Sequence, residues 1–347
     1  METEKELQKI GFAIIGTGSI AHKHAEGILK NKGAELVAVR SRDKERAEAF
    51  AQKYNIKAYT DYNELLKNPR VNAVDLVGVN NTHAELGMIA AHAKKHVLVE
   101  KPIAVSMKEA EELIETCKKN NVKLSVISQK RFDKAAIKLK KAIENAELGK
   151  ITMARASVKW SRNKRYYDSS QGWRKSLQEA GGGFLLVQAI HHIDLLLWML
   201  GDVESVYGKT ETKLQDMECE DTAAAIIKFK NGAIATIEGT STVVKNRQDK
   251  LEINGDNGSV ILTGNKYLHW ISVWEFNKGR LVGFLNKIKN LRYIMKGSIG
   301  EQIADFVEAV QNNKEPQVTG EDGKKALEII LAIYKSASLK KEVALTK

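Results

Sequence analysis

The stretch Gly11-Phe12-Ala13-Ile14-Ile15-Gly16-Thr17-Gly18-Ser19-Ile20-Ala21 decides the fold. An apolar run of the length of a buried strand ends at two closely spaced glycines, and a helical segment follows. Gly16 permits a tight turn, Gly18 lets backbone approach a pyrophosphate, and Ala21 keeps helix close to strand. Thr17, Ser19 and Ile20 fall on the loop and first helical turn, whose free amides and positive dipole end suit an anion. The same letters could make an ordinary glycine-rich turn, so the flanking segments carry the decision. Leu36 to Val39, Val74 to Val79, His96 to Val99 and Lys123 to Ile127 read as buried strands. They alternate with amphipathic helices expected over Ala21 to Lys30, Lys44 to Tyr54, His83 to His92 and Met107 to Lys119, the last capped by Ser106. Strand and helix in alternation predict a doubly wound parallel sheet that binds a dinucleotide.

About twenty residues beyond the glycines, an NAD-preferring site carries an acid for the ribose hydroxyls. This chain has Arg40-Ser41-Arg42 instead. Ser41 and Arg42 can bind a 2′-phosphate through charge-assisted hydrogen bonds, so NADP is favoured over NAD. Asp43 is the acid that could still approach the ribose. Asn80 and His83, with Glu100 and Lys101 at the end of the strand from His96, fall on the carboxyl edge where such sheets bind ligands, and are further candidates for holding the cofactor. Lys101 can also hydrogen-bond a reacting hydroxyl, or it can merely brace the crossover loop through Glu100.

Past a helix from Phe132 to Asn145, the pattern changes to longer strands: Ile151 to Val158, Val203 to Thr212, Thr222 to Phe229, Ala233 to Gly239, Lys250 to Ile253 and Ser259 to Leu262. Asn231-Gly232 and Asn257-Gly258 are hairpin signals. The expectation is a dinucleotide-binding domain over 1–128, and over 129–347 an α+β domain with a large, mostly antiparallel sheet. Helices from Phe184 to Leu200, Gly300 to Gln311 and Gly323 to Leu339 should pack on one face of that sheet, leaving the second face for a homodimer or homotetramer.

The 347 residues carry 43% hydrophobic and 28% charged side chains, close to soluble globular averages. A net charge of +12 raises the question of nucleic acid, but the lysines sit at solvated-face spacings and no basic stripe interleaves with aromatics. Apolar runs are broken by Gln188, His191, His192 and Asp194, which argues against a membrane span. Met1 to Lys9 alternates charges and lacks the apolar core of a secretory signal, so a cytoplasmic location is expected. Cys117 and Cys219 have neither metal-ligand nor disulfide spacing.

In Gly181-Gly182-Gly183-Phe184-Leu185-Leu186-Val187-Gln188-Ala189-Ile190-His191-His192-Ile193-Asp194, adjacent histidines cannot share a helical face. His191 lies on the face of Val187 and Leu195, with Gln188 near it, and is the candidate for substrate. The alternative is a core histidine satisfied by Asp194. His191, His192 and Asp194 diverge too much for a metal site, so none is expected. Upstream, Arg165, Trp173 and Arg174 fall in a cation- and aromatic-rich loop that could meet an anionic sugar derivative.

Read together, residues 16–21 (GTGSIA), Glu100-Lys101-Pro102 and residues 181–201 (GGGFLLVQAIHHIDLLLWMLG) resemble the Gfo/Idh/MocA oxidoreductases, and the likeness extends through Cys219 to Ala223, Asn231-Gly232, Gln302 to Phe306 and Glu315-Pro316. The resemblance implies a Rossmann domain followed by an α+β domain, and NAD(P)-dependent hydride transfer at a secondary CH–OH of a sugar or polyol. It implies that Lys101 and His191 act at the reacting hydroxyl. One departure stands out: many members place Asp four residues before that His, where this chain has Val187. Subgroups acting on UDP-type amino sugars or sugar acids share a sequence like Gln188-Ala189-Ile190-His191, which defines an alternative substrate class. A non-catalytic dinucleotide-binding sensor is the alternative of another class.

Overall fold

The computed structural model of the protein describes residues 9–168, 172–213, 216–265, 269–276 and 299–345. Most of the charged N-terminal run, 1–8, lies outside the described residues. The chain forms two compact units, the first running to Gln129 and resuming for Ser298–Lys324, the second taking the remainder.

The first unit holds a six-stranded sheet of β1 (Ile10–Ile15), β2 (Ala34–Arg40), β3 (Lys57–Tyr59), β4 (Ala73–Leu76), β5 (His96–Val99) and β6 (Leu124–Val126), in the order β3-β2-β1-β4-β5-β6 with parallel pairing. The order reverses between β1 and β4, the place where doubly wound sheets open a ligand crevice. All six residues of β1 are buried, as a strand covered on both faces requires. The crossovers are α1 (Ser19–Lys30), α2 (Lys44–Tyr54), α3 (Tyr62–Leu66), α4 (His83–His92) and α5 (Met107–Lys119). Asp43, Asp61 and Ser106 start α2, α3 and α5 by accepting the N–H of Arg46, Glu64 and Glu109.

The first unit also takes a piece of chain from the far end. The helix Ile299–Gln311 buries Ile303, Phe306 and Val307 in the same core as Phe12 and Ile28, and the Phe12 and Phe306 rings lie 6.1 Å apart. Gln302, fully buried, accepts from the Ser128 N–H (2.9 Å) and donates to the Val126 carbonyl (2.8 Å). Ser125 donates to the Val318 carbonyl at 2.8 Å. The edge of the sheet at β6 is thus closed by residues almost two hundred positions away, which local periodicity does not report.

The second unit contains α6 (Lys134–Glu144), α7 (Lys164–Asp168), α8 (Leu177–Ala180), a π-helical turn over Leu185–Ala189, and α9 (Ile190–Leu200). Its sheet comprises β7 (Ile151–Lys159), β8 (Val203–Glu211), β9 (Thr222–Phe229), β10 (Ile234–Thr240), β11 (Asp249–Gly255), β12 (Gly258–Gly264), β13 (His269–Phe276) and β14 (Val343–Ala344), ordered β13-β12-β11-β7-β10-β9-β8-β14. β7 and β10 pair in parallel, and the other pairs are antiparallel. Along β9, Ala223, Ala225, Ile227 and Phe229 are buried while Ile226 and Lys228 face out, so one face is core and the other open. Within Leu177–Leu200 an 18-residue window of mean hydropathy 1.5 is long and apolar enough to cross a membrane, but 78% of that window is buried inside the protein, as in a core helix.

Because Phe306 closes the core of the first unit, Phe306→Ala is expected to destabilise that unit by about 3–5 kcal/mol, measured as a lowered denaturant midpoint. A change below about 1 kcal/mol would contradict the helix's place in that core.

Candidate active site

Gly16 leaves β1 with φ +121°, and a Cβ there would lie 3.2 Å from the backbone of Gly78, beyond β4. Only glycine meets both demands. Gly18 is the N-cap of α1; no side chain caps the helix, and nothing lies within 4 Å of where a Cβ would sit. The first amides of α1, at Ser19 and Ile20, therefore stand open at a positive helix end, as a pyrophosphate requires. Thr17 Oγ1 lies 3.5 Å from Ser41 Oγ, tying the loop to the end of β2. Ser41 accepts from the Asp43 N–H (3.2 Å), while the Asp43 carboxylate caps α2 through Arg46. Asp43 is thereby turned to its own helix. Arg40 donates to the Thr60 carbonyl at 3.1 Å; burial first, then the charge of Arg42, lowers its pKa. A hydroxyl, two guanidinium groups and an open helix end fit a dinucleotide.

Across the switch point, Asn80 is buried in a short turn (Asn80–Thr82), and His83 opens α4 with Nδ1 2.8 Å from the Pro102 carbonyl. Burial foremost lowers the His83 pKa, which keeps the ring neutral. Glu100 follows β5. Its Oε2 accepts the Lys101 N–H at 3.0 Å and its Oε1 lies 3.2 Å from His24 Nε2; His24 Nδ1 lies 2.7 Å from Asp75 Oδ2. Burial opposes a charge on His24, but the Asp75 charge and the hydrogen bonds of both carboxylates outweigh it and carry its pKa to about 10. Burial likewise opposes the Glu100 carboxylate, and the His24 bond and charge reverse that, so its pKa falls. Lys101 itself is half-buried. His24 and Asp75 escaped the sequence reading, although the signal was present: a histidine on the apolar face of α1 beside Ala21, Ala25 and Ile28, and an acid inside the strand Val74-Asp75-Leu76.

In the second unit the backbone before the π turn is clamped. Glu220 accepts the N–H groups of Gly183 and Leu185, each at 2.8 Å, and the Tyr334 hydroxyl at 2.9 Å, while its carbonyl takes the Phe184 N–H at 2.8 Å. A Cβ on Gly183 would meet that carbonyl at 1.9 Å. The π turn, a feature frequent at functional sites, follows. It buries Gln188, whose Oε1 has no hydrogen-bond partner among the described residues, a vacancy that suits a ligand donor. Val187 and His191 are half-exposed on an otherwise buried stretch, while His192 is fully buried.

His192 Nε2 lies 3.4 Å from Lys130 Nζ and 3.5 Å from Asp249 Oδ2; Lys130 pairs with Asp249 at 3.4 Å, and Trp160 Nε1 donates to Asp249 Oδ1 at 2.6 Å. Asp194 receives a two-pronged bond from Arg131 at 2.9 and 2.6 Å. Beside Trp160 runs a ladder of stacked groups. The Arg162 guanidinium lies 5.1 Å from the Trp160 ring and 4.8 Å from Tyr166, and Arg174 lies 4.7 Å from both Tyr166 and Trp173. Trp173 and Arg174, expected for substrate, belong to it; Arg165 is exposed and outside it. Arg162 and Tyr166, from the same cation- and aromatic-rich loop, are its other members. Among the described residues no cluster of three His, Cys, Asp or Glu could hold a metal ion. Burial pushes the thiols of Cys117 and Cys219 up to about 12, leaving both unreactive.

A six-stranded parallel sheet with an open glycine-rich helix end, joined in one chain to a mixed-sheet α+β unit, defines a two-domain nicotinamide-dependent oxidoreductase. Residues 10–128 match the model of the oxidoreductase family, NAD-binding Rossmann fold, and residues 140–345 match that of its C-terminal alpha/beta domain. The chain belongs to this family, Gfo/Idh/MocA. It is 30% identical to the myo-inositol 2-dehydrogenase of Thermotoga maritima, over 96% of this chain and 98% of that one. It is 29% identical to the 1,5-anhydro-D-fructose reductase of Ensifer adhaerens, over 94% and 96%. The WlbA dehydrogenase of Bordetella pertussis, solved with NADH and UDP-GlcNAcA, superposes with a TM-score of 0.88 at 27% identity, over 98% of this chain and 99% of that one.

Glycines 18 and 183 are expected to respond oppositely to alanine. Gly183→Ala should lose about 1–3 kcal/mol of stability by overpacking against Glu220. Gly18→Ala should change stability by less than about 0.5 kcal/mol and weaken nucleotide binding. Denaturation and nucleotide titration of both variants check this.

Proposed function

We propose that the protein is a dehydrogenase that oxidises or reduces a secondary CH–OH of a sugar or polyol, with Lys101 and His191 handling the hydroxyl proton. The observation that carries this reading is Lys101 at the end of β5, on the same sheet edge as the open dinucleotide loop. Relatives named for inositol and anhydrofructose support the substrate class. The bound nicotinamide supplies or accepts the hydride. Lys101 donates a hydrogen bond to the reacting oxygen, and His191, half-exposed on α9, takes the proton during oxidation and returns it during reduction. Gln188 Oε1 accepts from a further substrate hydroxyl. Val187 shares the half-exposed stripe of His191, so the carboxylate common in relatives of the resembling family does not assist here.

Lys101→Ala and His191→Ala should each lower turnover by about 10²-fold or more while leaving nucleotide affinity within about threefold. Wild-type turnover in either variant would remove that residue from the chemistry. Nucleotide binding with no turnover on any sugar or polyol would favour the sensor.

For the cofactor we favour NADP over NAD, because Ser41 and Arg42 directly follow β2 and Asp43 is engaged as a cap. Arg42→Ala should narrow the NADP preference by about tenfold, the worth of one charge-assisted hydrogen bond. Tighter binding of NAD by the wild type, or an unchanged ratio in the variant, contradicts the assignment.

The guanidinium ladder favours a second reading, an anionic substrate such as a UDP-type sugar acid. Arg174→Ala should then raise KM for such a compound about tenfold and leave that for a neutral polyol within about twofold. Equal effects on both leave the neutral sugar as substrate. Exposed Met153, Ile234, Ile226 and Tyr207, on the neighbouring strands β7, β10, β9 and β8, support a homodimer or homotetramer built through the open sheet face. The two buried free cysteines suit a reducing cytoplasm.

A further inference from the structure

His24 is a titratable group that the proposed chemistry leaves unused, yet it sits among the residues that chemistry needs. It projects from the buried face of α1, the helix whose N-terminal amides stand open at Gly18, and it is fully buried. A polar ring there is costly unless both nitrogens are satisfied. Both are: Nδ1 meets Asp75 Oδ2 on β4 at 2.7 Å, and Nε2 meets Glu100 Oε1, just past β5, at 3.2 Å. With Asp75 and Glu100 both ionised, both ring nitrogens must donate, which only the imidazolium can do; burial raises the Asp75 pKa against that state, and the His24 charge and hydrogen bond oppose the rise. The ionisable groups that face this cluster are Asp75 from β4, Glu100 and Lys101 beyond β5, and His83 at the start of α4.

Glu100 is held at both oxygens. Oε1 is on His24, and Oε2 accepts the backbone N–H of Lys101 at 3.0 Å. With the His24 bond in place the carboxylate cannot turn away from the Lys101 amide, so the backbone from which the Lys101 side chain springs is anchored to α1. We infer that His24 is a positioning residue that keeps the helix end holding the dinucleotide in register with Lys101, acting through Glu100 and steadied by Asp75. The inference rests on the reading of Lys101 as a group that touches the substrate. The upward shift of the His24 pKa to about 10 agrees with a permanently charged tie at neutral pH.

Two readouts on the cofactor-free protein test the tie without relying on turnover. Nitrogen NMR of the wild type at pH 8 should find both His24 ring nitrogens protonated; a neutral ring at that pH overturns the inference. In His24→Gln, which can serve one carboxylate but carries no charge, the Lys101 amide resonance should move and its protection from exchange should fall. With substrate, His24→Gln should lower kcat about tenfold and leave KM for nucleotide and substrate within about threefold, whereas a purely structural residue would lower the folded fraction without that split. If His24→Gln does not fold, Asp75→Asn, which leaves the imidazole in place but weakens its anchor, takes its role with the same readouts and the same expected signs. Crippled turnover in Lys101→Ala beside unchanged kcat and an unmoved Lys101 amide in the folded variant overturns the inference alone. Normal turnover in Lys101→Ala overturns the reading on which the inference depends.

Discussion

At the ends of β1 and β4 two backbones approach so closely that a Cβ on Gly16 would lie 3.2 Å from Gly78. The sheet order reverses at this point, so the approach sets where the first unit can open to a ligand. The turn it permits places Gly18 as an N-cap without a side chain and leaves the first amides of α1 unsatisfied. Unsatisfied donors at a positive helix end demand an anion, and the flanking Ser41, Arg40 and Arg42 extend the same demand to the end of β2. The buried charges follow from this arrangement. A helix that must stay close to the sheet, yet present its end to a ligand, is tied down by His24 between Asp75 and Glu100.

The second unit uses a buried carboxylate in a comparable way. Glu220 accepts two backbone amides and a tyrosine hydroxyl, and so holds the Gly182-Gly183 segment where an added Cβ would collide. The wide π turn begins from that clamp and buries Gln188, and on the helix that follows His192 enters a network with Lys130, Asp249 and Trp160. Burial lowers the Lys130 pKa while Asp249 opposes the shift. Removing one member of such a network strands the others, so His192 matters to stability more than its place next to the half-exposed His191 suggests.

Much of this was legible in the letters. The doubly wound unit, the dinucleotide loop and the second sheet with its Asn231-Gly232 turn follow from local periodicity and glycine placement, because each is decided within a few residues. Features held by distant partners were not. The helix Ile299–Gln311 has a helical pattern, but that it closes the core around Phe12 is written nowhere near it. β13 was missed because a bulge breaks the alternation of its buried residues: Ile261 faces Val273 while the next residue, Leu262, faces Ile271. Asp194 also binds Arg131, sixty-three positions earlier, a partner that nothing local to the helix announces. Arg165 and Arg174 looked equivalent in sequence; only Arg174 stacks between Tyr166 and Trp173.

The chemistry at issue is hydride exchange between one bound nicotinamide and a sugar or polyol carbon that bears a hydroxyl. The direct measurement is absorbance at the reduced-nicotinamide band for the purified full chain with NADP or NAD and a panel of inositols, neutral sugars and UDP-linked sugar acids, repeated with substrate deuterated at the reacting carbon. At least one compound should reduce the nucleotide, with deuterium carried into it. Growth of the band without deuterium transfer, or a protein that binds nucleotide tightly and turns over none of these classes in either direction, would contradict it.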